Sequence, residues 1–94
     1  MNNLSFSLPV SIFKEGDVFV AHTPALDIST HADTLAEAKK NFEELIGLFF
    51  EELEKKGTTD EVLESMGWQK IERNWSAPVE IEHSIETFSV PARA

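Results

Sequence analysis

The chain is 94 residues long, contains no cysteine and has a formal net charge of −9 at pH 7. This length suits one small domain, and an apolar content of 41% with seven Phe and two Trp is typical of a globular fold. The missing cysteine excludes disulfides, thiol catalysis and thiolate metal sites, and the strong negative charge argues against nucleic acid as a direct partner, because phosphate binding needs clustered Lys and Arg.

No targeting or membrane segment is predicted. Residues 1–10 lack the basic and apolar segments of a signal peptide, and no apolar run approaches the roughly 20 residues of a membrane span. We therefore expect a cytoplasmic protein in which residues 1–94 form a single domain.

Alternating residues predict three strands in the first third of the chain. Apolar and polar residues alternate over residues 4–12, a period of two that is typical of a strand with one buried face, and Pro9 interrupts the ladder of this strand. The glycine in KEGD (residues 14–17) predicts a hairpin turn. The return strand is VFVAHT (Val18–Thr23), and a short third strand, DIST or ISTHA, follows the turn at Pro24.

A long amphipathic helix is predicted next, over Leu35–Lys56. Thr34 and Glu37 have the spacing of a capping box, Asp33 adds a negative charge at the helix start, and Gly57 ends the helix. Apolar residues that recur every three or four positions form one stripe: Leu35, Ala38, Phe42, Leu45, Ile46, Phe49 and Leu53.

The last third of the chain is predicted to hold a short helix and a final strand. Residues 58–61 repeat the capping-box spacing, and Gly67 ends the short helix. Residues 68–78 are predicted to be a connection. Residues 79–90 alternate again, with a bulge or strand end near Thr87. The alternation places Val79, Ile81 and Ile85 on one side and Glu80, Glu82 and Glu86 on the other.

The resulting order, β-β-β-α-α-β, predicts a small two-layer α+β domain in which one long helix covers one face of the sheet.

Two acids and a histidine near the third strand raise the question of a catalytic or metal site. Asp27, His31 and Asp33 offer carboxylate and imidazole groups, which suit divalent metal ions, but their spacing matches no known ligand signature. Asp is also common after a proline turn and at a helix start. We interpret this stretch as the structural seam between strand and helix, and we predict no catalytic residue, metal or cofactor.

Three histidines provide a second metal alternative. His22, His31 and His83 would have to gather around zinc. More often, a histidine in such a position is half-buried with one hydrogen bond, and this is the interpretation that we favour.

The candidate residues for binding a partner lie on the last strand and on the long helix. Carboxylates packed on one open sheet face repel one another, which a basic partner would relieve; alternatively, they solvate an exposed face or blunt an edge strand. Two apolar residues of the helix lie off or at the margin of its stripe and would mark an interface if they cluster. The candidates are Glu80, Glu82, Glu86, Leu48 and Phe50.

The sequences LPVSIFKEGDVFVAHTPAL and ADTLAEAKKNFEELIGLFFEEL carry a resemblance to a known family. Together they resemble the HicB family of antitoxins over residues 9–53. The matching positions are Pro9, Gly16, Pro24, Leu26, Asp33, Thr34, Leu35, Glu37 and Ala38.

The resemblance implies a cut-down ribonuclease-H-like sheet and a protein that binds and silences a small basic RNA-cleaving toxin, HicA. It also implies oligomerisation. The chain departs from the family in lacking a glycine after the proline segment and, with only PARA after Val90, in having no segment for a separate DNA-binding domain.

We therefore expect an antitoxin-type, non-enzymatic protein without a small-molecule ligand. The first alternative is a stand-alone homo-oligomer of the same fold that acts as a scaffold or regulator without a toxin. A second alternative is a metal-dependent nuclease that uses Asp27, Asp33 and His31.

Overall fold

The computed structural model describes residues 6–92. Within this range the chain forms a three-stranded antiparallel sheet of order β1-β2-β3, two helices, and a separate two-stranded sheet. The predicted α+β class is confirmed. The elements are β1 (Ser11–Glu15), β2 (Val18–Thr23), β3 (Ile28–Ala32), α1 (Leu35–Lys56), α2 (Thr59–Ser65), β4 (Gln69–Ile71) and β5 (Asn74–Ser76).

The first strand begins later than predicted. Residues 6–10 have no regular secondary structure, β1 covers Ser11–Glu15, and positions 4 and 5 of the predicted strand lie outside the described residues. Pro9 has no amide hydrogen to donate to a ladder, so pairing with β2 starts only after it.

The first hairpin turns where the sequence predicts. Glu15 pairs with Val18, which leaves Gly16 and Asp17 as a two-residue loop. Gly16 has a φ of 60°, a left-handed conformation that glycine adopts without steric cost.

Helix α1 has the predicted bounds and caps. The Thr34 hydroxyl accepts a hydrogen bond of 3.1 Å from the Glu37 amide, which satisfies one of the free N–H groups of the first turn. At the other end, Gly57 has a φ of 66° and its amide donates to carbonyls of the last turn, the usual glycine ending of a helix.

The short helix α2 forms without its predicted cap. It covers Thr59–Ser65, and the Thr58 side chain makes no capping hydrogen bond. Residues 58–61 therefore have the spacing of a capping box, but the Thr58 hydroxyl does not form the capping hydrogen bond.

The last part of the chain differs most from the prediction. The predicted connection contains the hairpin of β4 and β5, whose turn places Glu72 at a φ of 59°. The predicted strand over residues 79–90 is wrong, because these residues are exposed and belong to an irregular C-terminal segment, residues 77–92, in which Ala77 and Pro78 are half-buried. Alternation alone does not make a strand when no neighbour supplies main-chain hydrogen bonds.

Helix α1 packs on β2 and β3, and its buried face is shorter than predicted. Ala38, Phe42 and Leu53 are buried, whereas Leu35 is exposed. On the sheet, Ala21 of β2 is fully buried. The apolar stripe is thus confirmed for Ala38, Phe42 and Leu53, whereas Leu45, Ile46 and Phe49 are half-buried.

The main core cluster lies where α1, α2, the β2–β3 loop and the second hairpin meet. Its buried members are Ala25, Leu26, Leu53, Leu63, Trp68 and Trp75. The Trp68 indole N–H donates a buried hydrogen bond of 2.8 Å to the Ala25 carbonyl, which joins two parts of the chain 43 positions apart. Phe6 and Phe50 pack their rings against Trp68, with centroids at 5.5 and 6.1 Å.

Neither described helix is long and apolar enough to cross a membrane.

We predict that Phe42→Ala lowers the free energy of unfolding by about 3–5 kcal/mol, because it opens a cavity between α1 and the sheet. Urea denaturation followed by circular dichroism measures the loss. Leu35→Ala is the matched control, since Leu35 is on the same helix but exposed, and it should change stability by about 1 kcal/mol or less. Equal losses would mean that Phe42 is not a core residue.

We predict that Trp68→Phe costs about 1–3 kcal/mol, because it leaves the buried Ala25 carbonyl without its donor. Trp75→Phe provides the control: Trp75 is also buried, yet its indole donates no hydrogen bond within residues 6–92. Denaturation of both variants should show the larger loss at position 68. A larger loss at position 75 would contradict the importance of the Trp68 hydrogen bond.

Candidate functional site

The three predicted partner-binding glutamates lie in the C-terminal segment and are exposed. They do not share one face of a strand, so the predicted acidic strand face is absent. Glu80 and His83 form a contact of 3.2 Å between Oε1 and Nδ1, and the Ser84 hydroxyl donates to Glu86 Oε2 at 2.9 Å. These local contacts leave the carboxylates open to solvent.

The same segment exposes large apolar side chains between the glutamates. Ile81 is 91% exposed and Ile85 is 98% exposed, and Val79, Phe88 and Val90 are exposed as well. Residues 77–92 contain no Lys or Arg. Apolar groups held in water this way are unfavourable, and when they lie together they mark a surface that binds another molecule.

The C-terminal segment passes along the β1 edge of the sheet. A groove there is lined by residues 10–13 on one side and by Glu80, His83, Ser84 and Ile85 on the other. No strand pairing joins the segment to β1. Val10, Ile12 and Phe13 are themselves exposed, so both walls of this groove carry uncovered apolar groups.

The two candidates on α1 have different environments. Leu48 is 62% exposed and lines a groove between α1 and β3. Phe50 is half-buried and packs against Phe6, with ring centroids 4.6 Å apart. The structure therefore gives Phe50 a packing role and leaves Leu48 available for contact with another molecule.

Asp27, His31 and Asp33 are not gathered into one site. Asp27 ends the turn after Pro24 with a φ of 53°, and its carboxylate lies 3.8 Å from His22 Nε2. His31 is an exposed residue of β3, and Asp33 precedes the capping residue of α1. Among residues 6–92, no group of three or more His, Asp or Glu side chains is placed to hold a metal ion.

The positive φ of Asp27 accounts for the turn without glycine. Asp is one of the few residues with a side chain that visit the left-handed region readily, because its short polar side chain can bond locally. Asp27 therefore occupies the left-handed position of this turn, where glycine would otherwise be favoured.

The groove between α1 and β3 is not predicted by the sequence pattern. The stripe predicts that Leu45 and Phe49 are buried, and Ile28 is predicted to lie in a short strand, yet all three line the groove with Leu48. The one sequence signal for this groove is Leu48, an apolar residue that lies outside the helix stripe.

Comparison of the chain with family models, curated proteins and solved structures finds no match.

We predict that Asp27 stabilises the backbone conformation of the turn and has no catalytic or metal-binding role. Asp27→Gly should leave stability within about 0.5 kcal/mol, because glycine adopts the same φ freely, whereas Asp27→Val should cost about 1–2 kcal/mol, because a β-branched residue is strained there. Thermal and urea denaturation measure both. If the glycine variant is as unstable as the valine variant, the carboxylate itself contributes through its contacts.

Proposed function

We propose that this protein is a HicB-like antitoxin-type binding module that sequesters a small basic RNA-cleaving protein of the HicA kind in the cytoplasm. The observation that carries the proposal is the C-terminal segment, in which exposed glutamates alternate with exposed apolar side chains and residues 77–92 contain no Lys or Arg. The resemblance of residues 9–53 to the HicB family supplies the identity of the partner.

A basic RNA-cleaving enzyme suits this segment for electrostatic reasons. Such an enzyme must present Lys and Arg to the phosphates of its substrate. Carboxylates that occupy the same cationic surface would compete directly with RNA, and the net charge of −9 would speed the encounter.

The apolar side chains of the segment would keep the complex together once it forms. Ile81 and Ile85 are almost fully exposed in the free chain, so covering them removes apolar surface from water. Part of that gain would offset the cost of ordering an irregular segment. In this proposal, glutamates govern the association rate and isoleucines govern the dissociation rate.

A stand-alone homo-oligomer is the second candidate. The exposed apolar residues of the β1 edge, Ile12 and Phe13, favour it, because such edges pair readily with another chain. In this version, the fold acts as a scaffold or regulator without a toxin, and direct binding to nucleic acid is not part of either proposal.

The decisive experiment is affinity purification of the tagged chain from its native cells at low salt, followed by mass spectrometry. A small basic protein recovered in stoichiometric amount supports the antitoxin proposal. Recovery of the chain alone contradicts it and favours the homo-oligomer.

We predict that Glu80→Lys with Glu82→Lys lowers the association rate with the basic partner by about tenfold or more at low salt, with a smaller effect at high salt, because steering is screened. Stopped-flow or surface plasmon resonance measures the rates. Glu43→Lys with Glu44→Lys makes the same charge change on exposed positions of α1 and should slow association much less. Equal effects of the two pairs would show that only net charge matters.

A further inference from the structure

Most of the exposed large apolar side chains lie in one part of the molecule. Of the eleven such side chains in residues 6–92, five belong to residues 79–90 and three belong to residues 10–13. The two stretches are neighbours in space, because both contribute to the groove beside β1. Clustered apolar groups of this kind mark a surface that another molecule covers.

The C-terminal segment lies outside the compact part of the chain. The radius of gyration is 16.4 Å, whereas a compact domain of this length has a value of about 12 Å. The large apolar side chains of residues 79–90 are 75–98% exposed. The segment therefore holds its apolar groups in water, which is unfavourable.

The helices of the same chain do not cover these side chains. α1 packs on β2 and β3 but not on β1, and α2 packs on α1 and β4. A segment laid along the free edge of β1 would lie about 5 Å farther from α1 than β1 does, since this is the spacing of neighbouring strands. Ile81 and Ile85 would thus stay in water even if the segment lay against its own sheet.

The sequence of the segment separates its apolar groups from its carboxylates once it is extended. Alternate side chains of an extended chain point to opposite sides. Val79, Ile81 and Ile85 then lie on one side together with His83, and the three glutamates of residues 80–86 lie on the other. The apolar side carries no carboxylate.

A second copy of the chain offers the surface that matches this apolar side. The net charge of −9 opposes self-association through acidic surfaces, but a side without carboxylates can meet an identical side about a two-fold axis. A cationic protein is attracted to the opposite side, where the glutamates lie. The charges therefore assign the apolar side to an identical chain.

We propose that two copies of this chain form a dimer in which the C-terminal segments become extended and pack their apolar sides on each other, each beside its own β1 edge. The glutamates stay in solvent. The dimer itself does not depend on either proposed function. It covers the isoleucines that the antitoxin proposal assigns to the toxin, so that, if that proposal holds, a toxin must displace the second copy.

Sedimentation equilibrium of the full chain, from micromolar to near-millimolar concentration, tests the association. We expect a monomer–dimer equilibrium that becomes tighter in sodium sulfate, because salt screens the repulsion between two acidic chains and favours apolar burial. Capture of a basic partner should instead weaken with salt. A chain that stays monomeric throughout, or a dimer that dissociates as salt is added, would overturn the proposal.

A pair of double variants locates the interface. Ile81→Ser with Ile85→Ser should raise the dissociation constant of the dimer at least tenfold without unfolding the monomer, because both side chains are almost fully exposed there. Leu48→Ser with Ile71→Ser is the matched control, since each of these side chains is 62% exposed and lies outside the C-terminal segment. Equal weakening by the two pairs would contradict the assigned interface.

Isotope-filtered NMR shows the contact directly. In an equal mixture of ¹³C-labelled and unlabelled chains, we expect nuclear Overhauser effects from the methyl groups of Ile81 and Ile85 to protons of the unlabelled copy. Effects between copies that involve only α1 or β3 would place the dimer elsewhere and overturn the inference.

A neutralising variant separates this inference from the antitoxin proposal. Glu80→Gln with Glu82→Gln should leave the dimer at least as stable as before, because it removes repulsion without touching the apolar side. The same change should slow the capture of a basic partner. Loss of the dimer in this variant would contradict the apolar interface, whereas unchanged capture of the basic partner would contradict only the antitoxin proposal.

Discussion

The hydrogen bond from the Trp68 indole to the Ala25 carbonyl fixes how the two halves of the domain meet. The β2–β3 loop and the end of α2 are remote in sequence, and this buried bond of 2.8 Å holds them together. Around it, Leu53 of α1 and Leu63 of α2 are buried in one cluster. A carbonyl buried in such a cluster needs a donor, so the position of Trp68 determines where the second hairpin and the C-terminal segment leave the core.

The three-stranded sheet has two edges without strand partners in the described part of the chain. The β1 edge is accompanied by the acidic C-terminal segment, and the β3 edge by the groove on α1. Both surfaces combine uncovered apolar groups with carboxylates. They nevertheless differ in form, since one is an irregular segment that would have to become ordered and the other is already bounded by a strand and a helix.

The elements whose signals are local could be predicted from sequence, and those that depend on distant contacts could not. The caps of α1 are set by Thr34 and Gly57, and the first turn is set by Gly16, so each prediction rests on a few neighbouring residues. The second hairpin has no clear sequence signal, because its turn places Glu72, and not Gly or Asn, at positive φ. Residues 79–90 have the alternation of a strand, but alternation does not reveal whether a partner edge is paired with them.

The features of the candidate site also divide into those predictable from local sequence and those that depend on distant contacts. The exposed carboxylates and Leu48 could be identified from sequence, because they lie outside the apolar periodicities. That Phe50 packs against Phe6, and that Leu45 and Phe49 line a groove with β3, depends on the angle at which α1 crosses the sheet. This angle is a property of tertiary packing.

The order of contacts along the chain has a consequence for the folding pathway. β1, β2 and β3 pair as successive antiparallel neighbours, and α1 packs on the two strands that precede it, so most of the sheet and helix can assemble from contacts that close short loops. The Trp68–Ala25 bond spans 43 positions, and we expect it to close after them because longer loops cost more entropy to close. Loss of a contact that forms late changes the unfolding rate far more than the folding rate. We therefore expect the indole of Trp68 to set the lifetime of the folded state, while the antiparallel pairing of β1, β2 and β3 sets the rate of folding.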